Sequence, residues 1–85
     1  MTAKVAIFTI GLLPMQVDKL AERLNEQRAY VGKYSSESRL LEHAARGIIT
    51  HLVLMDDMAL NPGIMDKLKG FQIQIVPYKD AQRLL

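Results

Sequence analysis

The sequence predicts a small α/β domain in which helices cover both faces of a parallel β-sheet, and two observations support this. First, Leu52-Val53-Leu54-Met55 is an apolar segment of strand length without polar alternation, which is typical of strands covered on both faces. Second, strand-like segments alternate with segments of helical period, as in chains that join parallel strands through crossover helices. The 85 residues, 49% of them apolar, fit one domain, 1–85, with its own core.

The first strand and helix have the clearest signals. Lys4–Thr9 is apolar and predicts a strand. Gly11 and Pro14 bracket a turn, and proline suits the first turn of a helix. The helix that follows has apolar residues at the spacing i, i+3, i+4, i+7. These residues are Val17, Leu20, Ala21 and Leu24.

The second strand and helix have weaker signals. Ala29–Tyr34 contains aromatic and β-branched residues that favour a short edge strand. Ser35 and Ser36 can cap the next helix, and Gly47 can end it because glycine readily adopts the left-handed conformation. The predicted buried face of this helix consists of Leu40, Leu41, Ala44 and Ala45.

The second half of the chain repeats the alternation of strand and helix. The strand at residues 50–56 leads to Asn61-Pro62, a cap followed by a good first helical residue. Gly70 ends that short helix, and Phe71–Val76 is predicted to be the last strand. The tail Lys79–Leu85 is predicted to form a helical turn or two.

This element order predicts a small three-layer flavodoxin-like fold with a four-stranded parallel sheet of order 2-1-3-4. The first helix should lie on one face, and the second and third on the other. Gln72 and Gln74 alternate with apolar residues, which indicates an edge strand with one open face. Either the tail folds back over it, with Leu84 and Leu85 as plugs, or a second copy or partner covers it. We favour a homodimer or a bound partner, since exposed strand edges invite pairing.

Composition excludes several classes of function. The chain has no cysteine, so it contains no disulfide framework, thiolate site or cysteine nucleophile, and a cytoplasmic location fits. No apolar stretch approaches the length of a membrane span. Eleven Lys and Arg against nine Asp and Glu give a net charge of +2. The basic residues are scattered, which indicates a solvated surface rather than a nucleic-acid site.

The chain resembles a shortened response-regulator receiver domain from about Lys4 to Asp80. The resemblance lies in the segments Lys4–Phe8, Ser36–Glu42, His51–Asp56, Asn61–Asp66 and Ile73–Val76. It implies that Asp56 stands at the phosphoacceptor position.

Other parts of the receiver pattern are missing. The acidic pair that holds magnesium in receivers should lie near Thr9 and Ile10. The hydroxyl that senses phosphorylation falls near Pro77 or Tyr78, and Lys79 comes too early to match the family's lysine. Phosphotransfer needs a cation to neutralise the transferring group, so the resemblance implies a pseudo-receiver.

A second resemblance is to the catalytic domain of serine recombinases. It covers Leu40 to Leu68 and Gln74–Pro77. In that family a serine ends the first strand and arginines follow the third. Here Thr9 stands near the serine, and residues 58–61 (Met-Ala-Leu-Asn) stand where the arginines belong. Without those cations the phosphate has no charge stabilisation, so recombinase activity is not expected.

The candidate binding residues are Asp56, Asp57 and Thr9, at the carboxyl ends of strands. Two adjacent carboxylates there could hold a cation or a phosphate with magnesium, but they have too few oxygen ligands for a strong metal site. The alternative is that they are ordinary loop acids. His43 and His51 belong to no spaced ligand pair, and we expect a structural or surface role for them. We also expect Met55 and Met65 to pack in the core.

The candidate protein interface combines an apolar triplet in a predicted loop with the open last strand. It comprises Met58, Ala59, Leu60, Gln72, Gln74 and Tyr78. The sequence therefore favours a non-catalytic interaction or regulatory module without a cofactor. The alternatives are a magnesium-dependent phosphoacceptor or phosphate-binding enzyme using Asp56 and Asp57, and a weak nucleic-acid-binding protein.

Overall fold

A four-stranded, all-parallel sheet forms the middle layer of the molecule. The computed structural model describes residues 3–56 and 59–84. The strands are β1 (Lys4–Phe8), β2 (Tyr30–Tyr34), β3 (His51–Leu54) and β4 (Gln74–Pro77). Their order across the sheet is β2-β1-β3-β4, with every pair parallel. The predicted fold class and strand order are confirmed.

Helices cover both faces of the sheet. They are α1 (Pro14–Glu26), α2 (Glu37–Ala45), α3 (Pro62–Gly70) and α4 (Tyr78–Leu84). Successive strand residues point to opposite faces, so β1 contributes to two cores. Val5 and Ile7 pack with α1 and with Ala81 of α4. Ala6 and Phe8 pack with α2 and α3. This is the small three-layer flavodoxin-like arrangement, and the tail forms the two helical turns predicted for it, as α4.

The helix boundaries follow the predicted caps. The Ser36 hydroxyl accepts a hydrogen bond from the Arg39 N–H at 3.4 Å, and Asn61 Oδ1 accepts one from the Gly63 N–H at 2.8 Å. Gly47 has a φ of 74°, and the next N–H, of Ile48, donates to the His43 carbonyl at 3.0 Å. The chain therefore turns after α2 where glycine permits it.

The last strand differs from its predicted bounds. It begins at Gln74 rather than Phe71, because Gln72 adopts a φ of 64° and its N–H donates to the Lys69 carbonyl at 3.0 Å. Phe71 and Gln72 therefore close α3 instead of extending the sheet. β4 is an edge strand as predicted. The tail folds back as α4, while the side chain of Leu84 and all of Leu85 lie outside the described part of the chain.

Candidate functional site

The segments that follow β1, β3 and β4 meet in a cleft of about 370 Å³ at the carboxyl edge of the sheet. After β2 the chain crosses back over β1 to reach β3, so the direction of strand addition reverses between β1 and β3. Parallel sheets bind ligands outside the strand ends at such a reversal. The cleft is lined by Gly11, Leu12, Gln16, Met55, Asp56, Pro77, Tyr78 and Lys79.

The structure brings one of the three predicted binding residues to this cleft. Asp56 is exposed and lines it. The Thr9 hydroxyl instead donates to the Tyr34 carbonyl at 3.2 Å, and the Thr9 N–H donates to the same oxygen at 2.8 Å. Thr9 is thus bound to β2 and does not line the cleft. Asp57 lies outside the described residues.

The described residues do not fit a magnesium site. Within 3–56 and 59–84 there is no group of three His, Cys, Asp or Glu side chains that could hold a metal ion. A hard cation takes six or more oxygen ligands, and Asp56 is the one predicted carboxylate that the structure describes. The magnesium-dependent alternative stays a prediction, as does nucleic-acid binding.

The predicted interface residues separate into three environments. Tyr78 lines the cleft. Ala59 is partly buried and Leu60 is 4% exposed, both packed in the core beneath α2 and α3. Gln72 and Gln74 are exposed, but they lie at the amino end of β4, away from the cleft. Met58 lies outside the described residues.

Four large apolar side chains are exposed at the carboxyl edge. They are Ile10 at 51%, Leu13 at 65%, Met15 at 67% and Met55 at 49% exposure, and we call them the carboxyl-edge apolar surface. Met55 was expected in the core. The expectation was wrong because β3 ends at Leu54, so Met55 turns out of the sheet. Met15 lies two residues before Val17 and does not continue the buried stripe of α1, and this is the sequence signal that could have marked it.

Met55 lies directly over the turn that follows β1. A β-carbon built on Gly11 would be 2.8 Å from the Met55 Sδ atom, and Gly11 has a φ of 88°. The backbone conformation therefore favours glycine there, and a β-carbon would also require the Met55 side chain to shift. This contact joins the exposed residues after β1 to the residue that follows β3.

Both histidines have structural partners away from the cleft. The Tyr34 hydroxyl and His43 Nδ1 are 2.6 Å apart, and the Thr50 hydroxyl and His51 Nδ1 are 2.8 Å apart. Burial raises the pKa of Tyr34, and the positive charge of Arg39 opposes the rise. The predicted structural role of the histidines is consistent with these contacts.

Comparison with protein-family models, with curated proteins and with solved structures finds no match for this chain. Across residues 3–56 and 59–84, none of the helices combines the length and the apolar character needed to cross a membrane.

Proposed function

We propose that this protein is a non-catalytic interaction module that binds a partner protein through the carboxyl-edge apolar surface. The observation that carries the proposal is the exposure of Ile10, Leu13, Met15 and Met55 at one end of the sheet. Exposed apolar residues grouped beside polar ones mark interaction sites. Here Gln16, Asp56 and Lys79 of the adjoining cleft supply the polar groups. Methionine suits such surfaces because its flexible side chain adapts to the partner.

Leu13 gives the proposal its strongest support. It occupies the N-cap of α1, where the Gln16 side chain accepts a hydrogen bond from the Leu13 N–H at 2.8 Å. Leucine is one of the poorest N-cap residues, since it has no oxygen to accept from the first turn. At 65% exposure it gains little from burial within its own chain. A residue that weakens its own helix and remains exposed is expected at a functional surface.

The same proposal includes a regulatory role of the pseudo-receiver kind, in the cytoplasm, with the module working as a homodimer or with a partner. The resemblance to receiver domains and the missing acidic pair motivate the regulatory part. The absence of cysteine is compatible with the location.

Affinity capture from a lysate of the source organism tests the proposal. The baits are the wild-type chain, Leu13→Ser, and Phe71→Ser as the matched control. Phe71 is also a large apolar residue, 44% exposed, but it follows α3 at the opposite end of the sheet. We expect a protein that the wild-type and Phe71→Ser baits enrich and that Leu13→Ser loses. If the three baits retain the same proteins, or none, the carboxyl edge is not a partner site.

A further inference from the structure

The two edges of the sheet differ in how many backbone groups they leave for another strand. On β2, the Tyr30 N–H donates to the Ala3 carbonyl at 2.9 Å, and the Tyr34 carbonyl accepts from the Thr9 N–H at 2.8 Å. Because backbone groups of successive strand residues point to opposite sides, Val31 and Lys33 direct both their N–H and C=O groups away from β1. The β2 edge therefore presents two donors and two acceptors.

The β4 edge presents fewer outward backbone donors and acceptors than the β2 edge. The Gln74 N–H donates to the Thr50 carbonyl at 3.1 Å, so Gln74 and Val76 face β3 and Ile75 faces outward. Pro77, the next outward residue, has no N–H to donate. A short strand that carries proline is a common way to prevent edge pairing. Self-association through a strand edge is therefore favoured at β2 over β4.

We propose that two copies of this chain pair antiparallel through β2, with the two-fold axis at Gly32. In that register Val31 of each copy lies opposite Lys33 of the other. Since both residues point their backbone groups outward, the two pairs form four hydrogen bonds. The pairing extends the four-stranded sheet to eight strands, and it is separate from the carboxyl-edge apolar surface.

The side chains of β2 fit this register. Tyr30, 68% exposed on its own chain, comes opposite Tyr34 of the second copy in a closely spaced pair, and aromatic cross-strand pairs are stabilising. Gly32 of one copy lies opposite Gly32 of the other. Within each copy the Tyr34 ring covers this glycine, since a β-carbon on Gly32 would be 2.9 Å from Tyr34 Cε1. The absence of a side chain at the axis lets the two rings remain in place.

Charge does not oppose a second copy as the partner strand. A lysine on an edge strand normally discourages pairing. Lys33, however, forms an ion pair with Asp18 of α1 at 3.1 Å, and the register sets it opposite Val31 instead of another lysine. Like charges therefore do not face each other across the junction.

Single cysteines test the register, because the chain has no native cysteine. Val31→Cys and Lys33→Cys are oxidised separately and as a mixture, with tags of different length. Opposite residues of a hydrogen-bonded pair have Cα atoms about 5.5 Å apart, which a disulfide can span. Two copies of the same variant place their cysteines two positions out of register. The Cα atoms of these cysteines are then farther apart than the ~7 Å that a disulfide can span. We expect the mixed disulfide to exceed both self-linked products. Equal linkage in all three samples, or no linkage, overturns the proposal.

Gln74→Cys is the control for the other edge. It introduces an exposed thiol on β4, and we expect it to remain monomeric on a non-reducing gel. Efficient self-linkage of Gln74→Cys would assign the contact to β4 and overturn the proposal.

Sedimentation of backbone variants tests the hydrogen bonds. Lys33→Pro removes the outward N–H without touching the β1–β2 ladder, and Lys33→Ala is its matched control, since both lose the Asp18 ion pair. We expect the wild-type chain and Lys33→Ala to dimerise with similar dissociation constants. Lys33→Pro, with circular dichroism unchanged, should weaken the dimer about tenfold or more, because two of four hydrogen bonds are lost. A monomeric wild-type chain at every concentration, or equal dissociation constants for the proline and alanine variants, contradicts the proposal.

Discussion

The Tyr34 hydroxyl lies 2.6 Å from Nδ1 of His43, and the two rings meet edge to face at a centroid distance of 5.3 Å. This pair joins the end of β2 to the last turn of α2. Tyr34 is 9% exposed and belongs to the core beneath α2 and α3. The contact therefore fixes one edge of the sheet to the helix that covers it.

Tyr34→Phe should destabilise the fold by about 0.5–1.5 kcal/mol, the usual net value of one hydrogen bond. The substitution removes the hydroxyl, leaves the ring, and deprives His43 of its partner. Urea unfolding measures the change. Tyr30→Phe is the matched control at protein concentrations where the chain is monomeric, because the Tyr30 side chain is then 68% exposed and its hydroxyl can be solvated by water. Equal free energies of unfolding for the two variants would show that the Tyr34–His43 contact contributes nothing.

Stability should fall at alkaline pH because of Tyr34. Burial raises the pKa of this phenol in the folded state, with Arg39 opposing the rise, while the unfolded value is about 10. The contribution of Tyr34 is complete below the unfolded value. It is lost as pH rises through the folded pKa, because only the unfolded state then releases the proton easily.

The measurement is the free energy of unfolding from neutral pH to above pH ~10, the ordinary tyrosine value. Tyr34→Phe should lose less stability than the wild-type chain over that range. Arg39→Gln removes the opposing charge and should raise the pKa of Tyr34 further, which phenolate absorbance reports. A fall in that pKa would mean that Arg39 does not act on the phenol.

Gly11→Ala should lower the free energy of unfolding more than Gly47→Ala does. Both glycines have positive φ, 88° and 74°, but a β-carbon at Gly47 meets nothing within 4 Å. Gly47→Ala therefore reports the backbone strain alone, roughly 1 kcal/mol or more. Gly11→Ala adds the contact with Met55 Sδ at 2.8 Å.

The comparison can be made by thermal or urea unfolding of both glycine variants. Adding Met55→Ala to Gly11→Ala should recover the part of the free energy of unfolding that Gly11→Ala loses beyond Gly47→Ala. The remaining loss is the backbone strain that Gly47→Ala also shows. If Met55→Ala recovers nothing, then Met55 moves aside freely and does not hold the turn.

Leu13→Ser should stabilise the protein by about 0.5–2 kcal/mol, since serine can accept a hydrogen bond from the first turn of α1 and leucine cannot. Helicity and urea unfolding measure this. Met15→Ser removes a similarly exposed side chain from the first turn without creating a cap, so it should not stabilise. A stabilised Leu13→Ser that has lost its captured partner separates the two roles of this position. A destabilised variant would indicate that Leu13 packs on its own chain.

The fold could be predicted from the sequence because the signals for strands, helices and helix ends agree with one another. The apolar stripe of α1, the cap at Asn61 and the stop at Gly47 each correspond to a feature of the structure. The start of β4 was misjudged because Gln72 and Gln74 looked like neighbours on one strand. Gln72 instead adopts a left-handed conformation, which side-chain alternation does not encode.

The site was less predictable than the fold. Asp56 was found because the end of an apolar strand is visible in sequence. Leu13 was missed because it lies four residues before Val17 and continues the apolar stripe, yet it precedes the first helical turn and remains exposed. Whether a stripe residue is covered depends on where the neighbouring elements end, and this is decided by tertiary packing.

The central position of β1 has a consequence for synthesis on the ribosome. β1 (Lys4–Phe8) precedes both of its neighbours in the chain, and one of them, β3, ends at Leu54. The helices α1 and α2 can cover Val5, Ile7 and Phe8 earlier, but the backbone edge of β1 that pairs with β3 has no partner until Leu54 has been translated. During this interval, chaperones or premature contacts can compete for that edge.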